Sequence, residues 1–175
     1  MTPRFTATTA LDHRRHRVDR FECGQDSLDR WLRAYAGQSQ RRDAARTFVT
    51  AEPDGKVAGY YTLVAAQVEH EQATAGVRQG LSPHFPIPVA LLARLAVATQ
   101  YQGAGLGRSL LLDALRRVLR ASEELAIRAV TVDAIDERAS SFYRAFGFEP
   151  SDIAPDTLMV PLQAVLRILG PDTGP

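Results

Sequence analysis

Leu91-Leu92-Ala93-Arg94-Leu95-Ala96-Val97-Ala98-Thr99-Gln100-Tyr101-Gln102-Gly103-Ala104-Gly105-Leu106-Gly107-Arg108-Ser109-Leu110-Leu111-Leu112 runs from an apolar stretch through a glycine-rich turn into a helix. Leu106, Leu110, Ala114 and Val118 recur every fourth residue and form one apolar helical face. Gly103, Gly105 and Gly107 allow close backbone approach and positive φ. A turn of this kind aims its N–H groups, together with those of the helix N-terminus, at a single point, which is the geometry for holding a phosphate. Asp and Glu are absent from Leu91 through Leu112, so nothing in the stretch repels an anion. The dinucleotide fingerprint fits less well. It requires an acidic residue ending a second strand about 20 residues on, whereas Glu123 and Glu124 follow a long helix.

Outward from this stretch the chain reads as strand and helix in alternation. A strand is expected over Phe5–Leu11, followed by the basic cluster His13-Arg14-Arg15-His16-Arg17, either a solvated turn or a phosphate contact. Asp26 or Ser27 can cap a helix in which Leu28, Trp31, Leu32 and Tyr35 form a core-facing stripe. Cations at Arg41 and Arg42 suit its C-terminal end. Strands at Thr47–Ala51 and Val57–Ala65 flank Pro53-Asp54-Gly55 and predict a hairpin. Glu69–Pro88 reads as a long irregular loop carrying Arg78 and His84, the latter a weak candidate base. Beyond the central helix, a strand is expected over Ile127–Ala134 and a helix over Asp136–Phe146, closed by Gly147. A short strand at Leu158–Pro161 and an amphipathic turn through Leu162, Val165, Leu166 and Leu169 complete the order. This predicts an α/β fold with a mixed sheet, in which the strands at 91–98 and 127–133 are parallel and joined by the central helix.

Composition bounds the function. With 175 residues, 45% hydrophobic and 23% charged, the chain suits one domain, expected over residues 1–170, with a frayed tail at 171–175. The net charge is +1, but Lys56 is the single lysine, so 21 − 1 = 20 of the basic residues are arginines, the planar bidentate binders of phosphate. One cysteine, Cys23, excludes an internal disulfide and fits a reducing cytoplasm. The sequence has no membrane-spanning run or signal-peptide core, and no metal site is expected.

The register Gln-x-x-Gly-x-Gly at Gln102–Gly107, directly after Arg94-Leu95-Ala96-Val97, resembles the coenzyme A loop of the GNAT acetyltransferases. The resemblance implies a GNAT fold, a mixed and mostly antiparallel sheet with a splayed parallel pair and flanking helices. It also implies acetyl-CoA as cofactor. Gln102, Gly103, Ala104, Gly105, Leu106, Gly107 and Arg108 would hold the pyrophosphate. Pantetheine would pair with a bulged, splayed strand at Leu95, Ala96 and Val97, and a Val97 N–H would polarise the thioester carbonyl. Ala139-Ser140-Ser141-Phe142-Tyr143-Arg144-Ala145-Phe146-Gly147-Phe148 resembles the late GNAT motif, in which the tyrosine protonates the departing thiolate. Tyr143 is therefore the expected catalytic acid. Asp136 stands where many members have Asn, leaving a cofactor contact there open.

Phe-x-Cys-Gly-x-x-x-Leu-Asp-x-Trp-Leu at Phe21–Leu32, with Pro88–Val97, resembles the acetyltransferase toxins of bacterial toxin–antitoxin pairs. That branch implies acetylation of the α-amine of aminoacyl-tRNA, and hence a block of translation. It also implies a homodimer and a ribbon-helix-helix antitoxin that represses a shared promoter. No Glu lies in or beside the central strand to serve as base. An α-amine of pKa about 8 is partly neutral at pH 7, unlike a lysine near 10.4, and needs less help. Arg41, Arg42, Arg46, Arg78 and Arg94 are the candidate tRNA contacts. A GNAT enzyme for a small amine or protein N-terminus, and a non-catalytic GNAT-like binding module, are the alternative readings.

Overall fold

The computed structural model describes residues 4–170, so the tail expected at 171–175 lies outside the described residues. Seven strands run in the order β1-β2-β3-β4-β5-β7-β6. They are β1 (Thr9–Ala10), β2 (Arg46–Ala51), β3 (Val57–Val68), β4 (Ile87–Val97), β5 (Ala129–Asp133), β6 (Glu149–Pro150) and β7 (Thr157–Pro161). The helices are α1 (Asp26–Arg30), α2 (Ala36–Arg41), α3 (Ala75–Arg78), α4 (Leu106–Ala121), α5 (Glu137–Arg144) and α6 (Leu162–Leu169). Every pairing but one is antiparallel where a register is defined; β4 and β5 are parallel. The expected α/β class with a mixed sheet therefore holds.

Contacts divide the chain into two compact units, one taking the described residues to Val64 with Ala93–Ala114, the other Ala65–Leu92 and the described residues from Leu115 on. In the first unit, the β2–β3 hairpin turns at the expected Pro53-Asp54-Gly55. The expected first strand shrinks to Thr9–Ala10. Thr6 and Leu11 still donate backbone N–H bonds to Ala51 and Thr47, so the segment follows β2 with its ladder interrupted. Leu11, Phe21, Leu32, Ala36, Val49, Val57, Tyr60 and Ala96 form the core of this unit. The Phe21 and Tyr60 rings meet edge-on at 5.5 Å, and the Tyr60 hydroxyl donates to the Leu28 carbonyl at 2.6 Å.

The predicted single helix after Asp26 is interrupted in phase. Trp31–Tyr35 forms a π-turn, with the Ala36 N–H bonded to the Trp31 carbonyl, five residues back instead of four. The wider turn makes the helix lag. Ala36 comes round beneath Leu32 and is fully buried, while Tyr35, expected on the core stripe, is 44% exposed. The basic cluster that precedes this helix is partly committed elsewhere: Arg17 pairs with Asp54, and the buried His16 Nδ1 accepts the Asp12 N–H at 3.0 Å. Burial holds the His16 pKa below the ordinary imidazole value, so this ring stays neutral as the acceptor it has to be.

In the second unit, β4 pairs with β5 from Val89↔Ala129 to Leu92↔Val132, and β5 pairs with β7 along its length. The long segment expected to be irregular is largely folded. A 3₁₀ turn at His70–Gln72 and α3 carry Ala73 and Val77 into a core with Ile87, Val89, Ala129 and Met159. Arg128 holds α3's end by donating to the Val77 and Gln79 carbonyls at 2.8 and 2.7 Å. The short strand β6, with no alternating run to announce it, pairs through Glu149↔Met159 and Pro150↔Leu158.

The π-turn makes a direct stability prediction. Leu32→Ala leaves a cavity in a dry core and should cost about 2–5 kcal/mol. Tyr35→Ala removes an exposed ring and should cost less than about 1 kcal/mol. Denaturant unfolding of both variants reads the difference; a regular helix with Tyr35 on the inner stripe would bring the two values together.

Candidate active site

The phosphate-binding candidate lies in the first unit, between β4 and α4. After β4 a 3₁₀ turn over Thr99–Tyr101 leads into the glycine turn. Gly103 and Gly105 both hold positive φ, +83° and +88°, and no atom lies within 4 Å of where a Cβ would sit. They are required by backbone conformation, and the space above them is open to a ligand. Gly107 differs from expectation: it already belongs to α4, and its φ is not in the left-handed region. Ser109 N–H closes the first helical turn onto the Gly105 carbonyl at 3.1 Å. The N–H groups of Leu106, Gly107 and Arg108 precede that bond and point out of the helix start. Ala104 sits exposed at the turn's tip, and Arg108 is exposed on the first turn.

Gln102 has a more specific role than proximity to phosphate. Its side-chain amide donates to the Cys23 carbonyl at 2.8 Å and the Val97 carbonyl at 2.9 Å, so both its N–H bonds are spent on the protein. The clamp joins the end of β4, the turn and the Phe21–Leu32 segment. Two further bonds reinforce it, as the Thr99 backbone N–H and hydroxyl both donate to the Glu22 carbonyl. The buried Asp29 anchors the same segment by accepting the Cys23 N–H at 2.8 Å. Burial, with the Asp29 carboxylate beside it, pushes the Cys23 thiol up to about 12, so this cysteine is an inert thiol. Asp29 was not among the expected site residues; its signal is the acid six residues after Cys23 in the motif.

The strand that would receive pantetheine outlasts its parallel partner. The β4–β5 register ends at Leu92↔Val132, and β4 continues five residues further through Leu95, Ala96 and Val97. An acetyl-CoA molecule therefore fits the donor set of this unit: an open glycine turn, a helix start, and a strand that runs on beyond its parallel partner.

Tyr143 belongs to the second unit, on α5. Asp136 starts that helix by accepting the Ala139 N–H at 2.8 Å, so its carboxylate is a helix cap. Gly147 stands two residues beyond the cap residue Ala145, with φ +94°. The Tyr143 ring is buried against Phe142 and Phe148, at centroid distances of 5.2 and 5.5 Å. Among the described residues nothing hydrogen-bonds its hydroxyl, and that atom is not sealed in the core. Burial pushes its pKa above the ordinary phenol value, keeping the proton in place.

Of the five arginine candidates, the structure groups three where α2 meets β2. Arg41 and Arg42 are exposed at the helix end. Arg46 is engaged there, donating to the Gln40 carbonyl at 2.9 Å and to Asp43 at 2.7 Å. Arg94 stands elsewhere in the same unit, its guanidinium carbon 3.8 Å from the centre of the Trp31 ring. Arg78 is half-buried at the end of α3, in the second unit. His84 is exposed, and among the described residues only its backbone has a bonded partner.

Replacing Gly105 by Glu forces a side chain through positive φ and puts a negative charge at the helix start. Calorimetry should find coenzyme A binding lost from a variant that melts near wild type; unchanged affinity would remove this turn from the cofactor site.

Residues 44–150 match the acetyltransferase (GNAT) domain family. A "tRNA-acetylating toxin" of Mycobacterium tuberculosis is 39% identical over 153 residues, covering 87% of this chain and 90% of that protein. Among solved structures, AtaT complexed with acetyl-methionyl-tRNAfMet superposes with a TM-score of 0.84 at 28% identity, covering 93% and 97% of the two chains. A tyrosine-to-phenylalanine mutant of the AtaT toxin, bound to the C-terminus of the antitoxin AtaR and acetyl-CoA, gives 0.79 at 27%, covering 92% and 95%. With the parallel β4–β5 pair, the glycine turn and the late tyrosine helix in place, these matches make the chain a member of the GNAT acetyltransferase family.

Proposed function

We propose that this protein transfers the acetyl group of acetyl-CoA to the α-amine of an aminoacyl-tRNA and so acts as a translation-blocking toxin. The observation that carries this reading is the Gln102 clamp. It ties the Phe21–Leu32 segment, which resembles the toxin branch, to the turn that resembles the coenzyme A loop. The Mycobacterium tuberculosis relative and the AtaT complexes support the same substrate and cofactor.

The cofactor, when bound, supplies an acetyl thioester. In this reading the backbone of Gln102–Gly105 and the start of α4 bind its pyrophosphate, and Leu95, Ala96 and Val97 orient the pantetheine. The Val97 N–H acts on the carbonyl oxygen. Tyr143 donates its phenolic proton to the sulfur as the C–S bond breaks and the amine nitrogen bonds to the acetyl carbon. The amine loses its own proton to water. Arg41, Arg42 and Arg46 hold the tRNA backbone from one side of the first unit, and Arg94 and Arg78 are the further candidate contacts. A homodimer and an antitoxin of the ribbon-helix-helix type that also binds operator DNA complete the proposal. Among the described residues no helix is long and apolar enough to cross a membrane, and the proposed site of action is the cytoplasm.

Tyr143→Phe keeps the ring packing and deletes the proton donor. It should lower acetyl transfer to charged tRNA by about 10²–10⁴ with coenzyme A affinity nearly intact, and relieve toxicity in cells. Wild-type turnover in this variant would exclude the residue from the mechanism. Arg41→Ala with Arg42→Ala should weaken transfer to tRNA and flatten the log–log salt dependence by about 0.7–0.9 per lost phosphate contact. An unchanged salt slope rejects that patch.

The pH profile has a defined sign. The substrate amine must be neutral, so the rate should rise until pH passes the amine pKa, about 8 or lower. Because burial raises the Tyr143 pKa, the acid is fully protonated below the ordinary phenol value and is lost only as pH climbs beyond it. The rate should therefore level off through pH 9. A falling limb between pH 7 and 9 would assign the proton to another group.

A further inference from the structure

The π-turn presents aromatic surface that the mechanism above does not use. Trp31 and Tyr35 stack with ring centroids 6.3 Å apart and planes 27° from parallel. Arg94 lies against the Trp31 ring, and the Arg30 guanidinium carbon is 5.8 Å from the centre of the Tyr35 ring. Successive contacts thus link Arg94, Trp31, Tyr35 and Arg30. Neither arginine is within ion-pair distance of a carboxylate among the described residues. Trp31 is held in place from behind: its indole N–H donates to the Thr62 hydroxyl at 3.3 Å, which pairs with the Thr47 hydroxyl at 2.9 Å. The shelf is therefore fixed at one edge and exposed at Tyr35.

From this geometry we infer that the exposed Tyr35 ring, backed by Trp31 and flanked by Arg94 and Arg30, forms a stacking platform for an unpaired base at the 3′ end of the tRNA. The inference rests on the acetyl-transfer reading and deepens it. Flat aromatic faces beside arginines are how proteins hold unpaired nucleotides: the rings take the bases and the cations take the phosphates. The position suits the chemistry, since the amino acid is esterified to the terminal nucleotide. Arg94 precedes Val97 by three strand residues, a backbone distance of about 10 Å. That is the scale separating the α-amine of an aminoacyl ester from the base that carries it. A π-turn is a rare irregularity often found at functional sites, and here it is what turns the Tyr35 ring out of the core.

Trp31 is the only tryptophan, so its fluorescence reports on the platform alone. Wild-type protein is titrated with an uncharged tRNA and with the same tRNA trimmed of its unpaired 3′ nucleotides. Full-length tRNA should quench the emission, and trimmed tRNA should leave it unchanged and bind more weakly. In steady-state assays on charged tRNA, Tyr35→Leu should raise KM roughly five- to a hundredfold, the loss of about one stacked base, with kcat nearly constant. Tyr35→Phe, which keeps the π face, should match wild type. Equal quenching by trimmed and full-length tRNA, quenching by neither, or an unaltered KM in Tyr35→Leu overturns the platform while leaving acetyl transfer intact. A wild-type protein that acetylates no charged tRNA takes both readings down together.

Discussion

Two hydrogen bonds from one amide organise the first unit. The Gln102 side chain reaches the carbonyls of Cys23 and Val97, and a segment near the N-terminus, the end of β4 and the glycine turn become one piece. Each bond is worth only about 1 kcal/mol net, so the clamp matters more for position than for stability. A phosphate-binding turn works when its N–H groups are fixed before the ligand arrives, because ordering them afterwards draws on binding energy. Gly103 and Gly105 give the turn its shape, and Gln102, with Thr99 bonded to Glu22, keeps that shape aligned with the start of α4.

The same clamp explains why the Phe21–Leu32 segment accompanies an acetyltransferase fold. Cys23 contributes no reactivity, since burial and Asp29 keep its thiol protonated. Its contribution is backbone: one carbonyl for Gln102 and one N–H for Asp29. The segment runs on into α1 and the π-turn, where Trp31 meets Arg94 of β4. One continuous stretch of chain thus touches the proposed cofactor turn at one end and the arginine of the proposed acceptor strand at the other.

Local chemistry made much of this legible in the sequence. The strand, the glycine turn and the helix face through Leu110, Ala114 and Val118 follow from short-range periodicity, and those three residues are buried as expected. The parallel β4–β5 pair follows from the strand–helix–strand order. What escaped depends on longer-range contacts. Nothing in Trp31-Leu32-Arg33-Ala34-Tyr35 signals an extra residue in the turn, so Tyr35 read as core. The side-chain clamp of Gln102 went unread because its two carbonyl partners, 79 and 5 positions away, are invisible to spacing. Arg46 read as a candidate tRNA contact, and its bonds to Asp43 and a helix-end carbonyl went unread. Glu69–Pro88 read as a loop because its breakers are many. Ala73 and Val77 nonetheless reach a core that only the folded β4, β5 and β7 create.

The proposed activity is one transfer: acetyl to the α-amine of an amino acid esterified to tRNA. The most direct measurement incubates the protein with isotopically labelled acetyl-CoA and bulk charged tRNA, hydrolyses the ester bonds, and identifies the released amino acids by mass spectrometry. Labelled Nα-acetyl amino acids should be released from the tRNA fraction, with free amino acids and protein N-termini in the same mixture left unlabelled. Label appearing on free amines or protein N-termini, with none on the tRNA-derived amino acids, would contradict it.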